Sequence, residues 1–495
     1  MIRNIIVLGG GSAGFIAAIA LKRKLPHLKV TVLRSADIGV IGVGEGTTQF
    51  FPRFFFEQMG LKPGLFYAKA EPTWKLGIRF LWGPREHFHY SFSRPIETRW
   101  ANLPRNSGYY CDDEFANLDI WYALMEHDRA LPRNEQGRPE FFKHSAIAFH
   151  VENRKLVACL DELADGLGVE IVEGTVESVE KNDRGIGALL LSDGRKVTAD
   201  LYVDASGFRA ELLGRALEVP FKSYNDALYC DRAVIAGWPR TDELIKPYTV
   251  AETMDAGWCW QIEHETFINR GYVYSSSFIT DDAAREEFLR KNPKIATEPR
   301  VVKFRSGRYQ TMWQGNVVGI GNASGFVEPL EASALQVIIL QSRTLADCLA
   351  DSICEPTPSV VAVYNRLICD AWDDVRDFLA VHYKFNTRLD TPFWQAARSD
   401  IGLGGGEGVV EFYRENGPST LGKTVLLSPN NAYGIEGYFA MLIGQKVPHQ
   451  KPHTPHPREL GIWRACCGEF ATAARQGFTV REALDLIRRP DWEWN

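Results

Sequence analysis

The segment Ile5-Ile6-Val7-Leu8-Gly9-Gly10-Gly11-Ser12-Ala13-Gly14 decides the fold. Its four apolar residues predict a short buried strand, and the glycines predict a sharp turn. Phe15 to Leu25 then has helical spacing, closed by Pro26, and Lys29 to Leu33 reads as a second strand. A strand–turn–helix–strand unit of this kind opens a doubly wound parallel sheet that binds a dinucleotide. In such a turn Gly9 permits the tight bend, Gly11 lets the backbone approach a pyrophosphate, and Gly14 lets the helix pack close. Ser12 and Ala13 open the helix, whose amides and dipole attract the phosphates. The second strand ordinarily ends in an acid that bonds a ribose hydroxyl. Here it ends in Leu33-Arg34-Ser35, so Arg34 stands where a glutamate is expected.

Working outward, the chain has 495 residues, which fits one large domain or two to three ordinary ones. Lys plus Arg is 56 against 62 for Asp plus Glu, and the net charge of −6 argues against a nucleic-acid partner. Aromatics make up 12%, with 13 Trp, which suits either a flat ring-shaped ligand or a Trp-rich core. No stretch approaches the ~18 uncharged apolar residues of a membrane span, and no signal peptide is expected. The nine cysteines form no CxxC pair, which predicts reduced thiols in a cytoplasmic chain. No metal-ligand spacing is present, so no metal is expected.

Further along, Leu156 to Leu167 reads as a helix, and Val169–Glu173, Val176–Lys181 and Gly187–Leu191 alternate like strands. Asp193-Gly194 signals a hairpin. From 335 onward helix signals dominate, over 335–354, 359–383 and 458–488, with a Gly/Pro-rich loop near 401–432. Two later segments bear on the nucleotide. One is the apolar strand Ala199–Val203 running into Asp204-Ala205-Ser206-Gly207. The other is Gly319-Ile320-Gly321-Asn322-Ala323. The ordered set GxGxxG, DxSG and GxGNA resembles the FAD fold of the glutathione-reductase and hydroxybenzoate-hydroxylase type, and FAD is therefore the expected nucleotide.

The resemblance narrows further. Gly42-Val43-Gly44-Glu45-Gly46-Thr47 resembles the GVGEAT stretch of flavin-dependent tryptophan halogenases. Glu71-Pro72-Thr73-Trp74-Lys75-Leu76-Gly77-Ile78-Arg79-Phe80 resembles the segment bearing that family's essential lysine. Gly257-Trp258-Cys259-Trp260-Gln261-Ile262 resembles its WxWxIP signature, with Glu263 in place of the proline. Phe326-Val327-Glu328-Pro329-Leu330-Glu331-Ala332-Ser333-Ala334-Leu335 resembles its FVEPLESTG, and Asp377 to Trp394 resembles a carboxy-terminal helix and loop of the same family. The match spans roughly residues 1–395 and is loose beyond, near Gly437 to Leu442.

The resemblance implies an α/β chain with a Rossmann-like, three-layer FAD-binding fold, a substrate-side sheet and a helical carboxy-terminal region. The expected division is an FAD-binding core of 1–85, 155–215 and 311–350. A substrate-side sheet with insertions comprises 86–154 and 216–310, and 351–495 packs over the substrate site. It implies an FADH2-dependent halogenase in which reduced FAD, O2 and halide give hypohalous acid that halogenates an electron-rich indole or phenol. Lys75 and Glu331 would be catalytic. Gly9, Gly11, Ser12, Ala13, Gly14, Arg34, Gly44, Asp204, Gly321 and Leu330 would bind FAD. Ser333 and Ala334 would offer backbone amides to the halide. Trp258 and Trp260 would keep substrate and flavin apart, and His89 and Phe92 are candidates for the substrate pocket. The partners implied are a separate flavin reductase and a small aromatic substrate, with a homodimer admissible. The alternatives are a halogenase of free tryptophan, an FAD-dependent aromatic monooxygenase, and a non-catalytic flavin-binding protein.

Overall fold

The computed structural model describes residues 1–36, 44–93, 96–140 and 147–494. Gly42 and Val43 of the GVGEGT stretch lie outside the described residues. The chain divides into two compact units. The first comprises residues 1–71, 151–225 and 304–373, and the second comprises 72–150, 226–303 and 374–495.

The first unit is built on a six-stranded sheet. Its strand order is Trp313–Gln314, Val317–Gly319, Leu201–Asp204, Asn4–Leu8, Lys29–Arg34, Glu170–Glu173. All neighbours are parallel except the first pair. Strand Asn4–Leu8 lies in the middle, with its residues from Ile5 onward buried. The next strand in sequence lies on one side of it and Leu201–Asp204 on the other. This reversal of direction opens a crevice at the carboxyl ends of the strands, where ligands of doubly wound sheets bind. Helix Ser12–Lys24 packs against helices Asn153–Gly166 and Ser333–Asp351. Its run from Phe15 to Leu21 is buried.

Steric closure explains the glycines of the turn. Gly9 has φ +127°, and a Cβ there would lie 2.3 Å from the Ala205 carbonyl oxygen. A Cβ on Gly14 would lie 1.9 Å from the Gly9 carbonyl oxygen. Neither position accepts a side chain without moving backbone. The predicted elements around them are present with shifted ends. The helix is Asn153–Gly166, the hairpin is Val176–Asn182 with Gly185–Leu191, and Gly194 turns with φ +83°.

Two polar networks tie the turn down. Ser12 Oγ donates to Asn153 Oδ1 at 2.8 Å, and Asn153 Nδ2 donates to Glu45 Oε1 at 2.7 Å. Burial pushes the Glu45 carboxyl up to about 7. Asp204 is fully buried. Its Oδ2 accepts from the Leu212 and Leu213 amides, both at 2.8 Å. Its Oδ1 accepts from the Ser206 amide at 3.1 Å and from the Ser206 hydroxyl.

The second unit is built on a seven-stranded sheet. Its order is Arg300–Lys303, Arg232–Pro239, Phe267–Tyr274, Gly257–Glu263, Thr249–Met254, Gly77–Leu81, Phe88–Ser91. The pairing of Thr249–Met254 with Gly77–Leu81 is parallel and the others are antiparallel. One face carries a core of Val234, Met254, Cys259, Tyr272, Tyr274 and Phe288. The expected loop near 401–432 contains a helix, Glu407–Asn416, because Val409, Val410 and Tyr413 share one buried face. The expected helical run 458–488 is two helices, Pro457–Arg475 and Val480–Ile487. Thr479 starts the second through a reciprocal capping box with Glu482.

All nine cysteines are free thiols. Burial pushes Cys111 and Cys159 up to about 11 and Cys259 and Cys467 up to about 12. Among the described residues no helix is long and apolar enough to cross a membrane.

Two outcomes follow for the first unit. Asp204→Ala leaves the Leu212 and Leu213 amides and both Ser206 donors without their acceptor. It should cost about 2–4 kcal/mol in denaturant unfolding, whereas Asp204→Asn, which keeps one oxygen, costs less. Glu45 has a folded value of about 7 against an ordinary 4.5, so its contribution to stability is fully present below 4.5 and is lost as pH rises through 7. Glu45→Gln should therefore melt above the unmodified protein at pH 8 in the flavin-free state, with the difference shrinking toward pH 5.

Candidate functional site

On the first unit the residues of the turn are arranged for a pyrophosphate. Gly11 precedes the helix and no side chain caps it. A Cβ built on Gly11 meets nothing within 4 Å. The first amide of this helix with a carbonyl partner is that of Phe15, which donates to Gly11 at 3.1 Å. Uncapped first-turn amides beside open space fit a phosphate group. Ser12 is buried and held from behind by Asn153, and Gly44 is buried at the start of the short strand Gly44–Gly46. Asp204 directs its oxygens to its own backbone, so it shapes the turn after the third central strand. The Gly321 amide donates to the fully buried Gln341 Oε1 at 2.9 Å.

Arg34 ends its strand as an ion-paired residue. Nη1 donates to Asp161 Oδ2 at 2.8 Å and Nε to Glu173 Oε1 at 2.6 Å. The hydrogen bond to Asp161, then that to Glu173, hold the guanidinium above its ordinary value. Its side-chain stem lies on the turn, where a Cβ on Gly10 would meet Arg34 Cβ at 2.7 Å and Cδ at 2.8 Å.

The segment after Gly325–Phe326 forms a 3₁₀ turn, Pro329–Glu331, followed by Ala332 with φ +53°. That left-handed residue starts helix Ser333–Asp351 without a side-chain cap. Leu330, Glu331 and Ser333 are buried and Ala334 is half-buried. The first-turn amides at Ser333 and Ala334 have the character of an anion site, whatever their side chains.

On the second unit Lys75 is 1% exposed. It lies on strand Thr73–Lys75, which pairs with strand Ala148–Glu152 so that Thr73 faces His150 and Lys75 faces Ala148. Its ammonium lies 5.1 Å from the centroid of Phe92. Phe92 begins a line of rings. Tyr90 is 6.5 Å from it and 5.9 Å from Phe378, and Phe378 stacks on Tyr433 at 4.0 Å and meets Tyr438 at 5.1 Å. Phe378, Tyr433 and Tyr438 were absent from the residues singled out by sequence. Phe378 falls in the resemblance over Asp377 to Trp394 and Tyr438 in the loose one near Gly437, but nothing local joins them, because rings from distant segments share no local pattern.

Trp258 and Trp260 share one face of their strand, 1% and 5% exposed, with ring centroids 6.1 Å apart. Trp260 needs Gly271 opposite, where a Cβ would lie 2.0 Å from its ring. Trp260 Nε1 donates to Asn269 Oδ1 at 3.0 Å, whereas Trp258 Nε1 has no hydrogen-bond partner among the described residues. Glu263, which replaces the family proline, is fully buried and pairs with Arg240. Gln261 Nε2 donates to its Oε1 at 2.6 Å, and the Thr73 hydroxyl donates to its carbonyl. The strand carrying Lys75 is thus fastened two residues before the lysine. His150 completes this surrounding. It bonds Thr249 Oγ1 at 2.8 Å, and burial, then the Lys75 charge, hold it well below the usual histidine value.

His89 lies with His87 and Glu126 in a group close enough to hold a cation. Arg79 Nε donates to His89 Nε2 at 2.7 Å, which puts the ring proton on Nδ1. The nitrogen that faces Glu126 at 3.5 Å therefore carries the proton, while His87 Nε2 is the ring nitrogen hydrogen-bonded to Glu126 Oε2, at 3.1 Å. Burial, then Arg79, hold His89 well below its usual value.

The chain as a whole has clear counterparts among known proteins. The tryptophan halogenase family matches residues 4–458. Tryptophan 6-halogenase ThaL of Streptomyces albogriseolus is 33% identical, covering 99% of this chain and 98% of its own. Tryptophan 7-halogenase RebH of Lentzea aerocolonigenes is 31% identical, covering 92% and 91%. The crystal structure of MibH, a lathipeptide tryptophan 5-halogenase, is similar with a TM-score of 0.89 and 38% identity, over 98% of this chain and 93% of that one. BrvH, a flavin-dependent halogenase from Brevundimonas sp. BAL3, is similar with a TM-score of 0.83 and 26% identity, over 99% and 100%. The chain belongs to the tryptophan halogenase family and is a flavin-dependent halogenase, an oxidoreductase with the family's Rossmann-like fold.

Proposed function

We propose that this enzyme replaces a ring hydrogen of an indole by halogen, using FADH2 from a separate reductase in the cytoplasm. The overall change is Ar–H + X⁻ + O2 + FADH2 + H⁺ → Ar–X + FAD + 2 H2O. Bound reduced flavin, with O2 and halide, supplies hypohalous acid. The chain's own residues do the rest. The amides at Ser333 and Ala334 hold the halide. Lys75 takes up the electrophilic halogen, as a haloamine or through a hydrogen bond, and passes it to the ring carbon. Glu331 accepts the ring proton as aromaticity returns. Trp258 and Trp260 keep the ring from the flavin, which suppresses hydroxylation.

One observation carries this reading: Lys75, 1% exposed, has its ammonium 5.1 Å from the face of Phe92. A lysine in such surroundings is a poor surface-solubility residue and a good nucleophile or donor when desolvated. Exclusion of water also matters, since free hypohalous acid is unselective. ThaL and RebH are named as tryptophan halogenases, and MibH as a lathipeptide tryptophan 5-halogenase. An indole ring is the chemistry they have in common. We place the ring beside Lys75 and Phe92, where the ammonium and an aromatic face already meet.

Mass spectrometry of an indole panel checks the reading. Free indole, L-tryptophan, a tryptophan-containing peptide and simple phenols are supplied with FAD, NADH, a flavin reductase, and chloride, bromide or iodide in parallel. The expected result is a halogenated indole product that falls about 100-fold or more in Lys75→Ala. Hydroxylated product, or halogenation unchanged in Lys75→Ala, would point instead to a monooxygenase or to released hypohalous acid.

A further inference from the structure

Arg34 stands at the end of the second strand, where doubly wound dinucleotide folds ordinarily place an acid. The acid accepts a hydrogen bond from an adenosine ribose hydroxyl. An arginine cannot accept, because all of its nitrogens are donors. Yet the position is not vacated. The Arg34 stem lies directly on the dinucleotide turn, within 2.7–2.8 Å of where a Cβ on Gly10 would be. Its guanidinium is fixed at two edges by Asp161 and Glu173. Those carboxylates come from different elements, helix Asn153–Gly166 and the end of strand Glu170–Glu173, and Arg34 pairs in register with Glu173. Nη2 donates to none of the described residues. The side chain is 33% exposed, so this nitrogen belongs to a fixed, solvent-reachable fork beside the turn.

Charge decides what such a donor takes. One guanidinium against two carboxylates leaves the cluster net negative. A ribose 2′-phosphate would add further negative charge beside Asp161 and Glu173, which disfavours a phosphorylated ribose. Neutral hydroxyl oxygens carry no such penalty, and a guanidinium held in place loses little entropy on bonding them. We propose that Arg34 recognises the unphosphorylated adenosine ribose of FAD by donating from Nη2, reversing the usual polarity of this contact, with Asp161 and Glu173 as its positioning residues. This inference rests on the FAD reading above.

The test compares two flavins that differ by the adenosine half. Purified protein freed of flavin is titrated with oxidised FAD and, separately, FMN, by isothermal calorimetry and by quenching of flavin fluorescence. Arg34→Ala is expected to weaken FAD about tenfold, the size of one charge-assisted hydrogen bond, and to leave FMN unchanged. Arg34→Lys, which keeps charge but loses the fork, is expected to weaken FAD by nearly as much. Arg34→Glu, which restores the usual acid beside two others, is expected to be at least as weak as Arg34→Ala. The double variant Asp161→Asn/Glu173→Gln is expected to lose FAD affinity selectively as well. FAD binding by Arg34→Glu as tight as that of the unmodified protein overturns the proposal, as does an equal loss of FAD and FMN in Arg34→Ala, which marks a structural role. Failure of the unmodified protein to bind either flavin removes the FAD reading itself, and is told apart from the other outcomes by that control.

Discussion

The close approach of Gly9 to the Ala205 carbonyl is the constraint on which the first unit depends. With no room for even a methyl group there, the ends of the two central parallel strands come together above the sheet. Gly14 repeats the constraint between helix and turn. These clearances set where the helix begins, and so where its amides point. Asp204 then holds the turn after its strand by collecting two buried amides and the half-buried Ser206 hydroxyl. Helix Ser333–Asp351, which packs on the first helix, brings a second uncapped amino end into the same unit. Both of these helices thus start without side-chain caps, and steric closure of the backbone sets where the first of them begins.

The second unit solves a different problem, which is to keep a lysine out of water. A buried ammonium is costly unless its surroundings compensate. The surroundings here include an aromatic face at Phe92 and a neutral His150. The strand bearing the lysine is fastened by Thr73 to the carbonyl of Glu263. Glu263 replaces a proline of the family signature, and a proline could offer that carbonyl but not the carboxylate that Arg240 and Gln261 engage. The substitution therefore exchanges a rigid strand end for an ionic one while keeping the contact to the lysine strand.

Much of this was legible in the sequence, for reasons that differ by residue. Gly9, Gly14 and the strand before them obey local rules of backbone conformation and hydrophobic run, so both fold and turn could be read directly. Lys75, Glu331 and the two tryptophans could be singled out only by resemblance, because a lone lysine or acid has no local signature of burial. Arg34 was visible as a departure, but its clamp was not. Asp161 and Glu173 are more than a hundred residues away, and nothing in their own segments marks them as partners. The helix Glu407–Asn416 was hidden by the glycines and proline on either side of it, although its buried Val409, Val410 and Tyr413 keep helical spacing. The aromatic line from Phe92 to Tyr438 was unreadable for the same reason as the clamp, since it is assembled by tertiary folding.

The state of the cysteines has a consequence for how long such an enzyme survives its own work. Halogenation proceeds through oxidised halogen, and the residue most vulnerable to it is a thiolate. An ordinary thiol near 8.5 is a few per cent ionised at pH 7. Thiols raised to about 11 or 12, as at Cys111, Cys159, Cys259 and Cys467, are ionised at only about one part in ten thousand or less. Burial at these four positions therefore keeps the thiol in its protonated, less nucleophilic form, the form least open to attack by an electrophilic halogen.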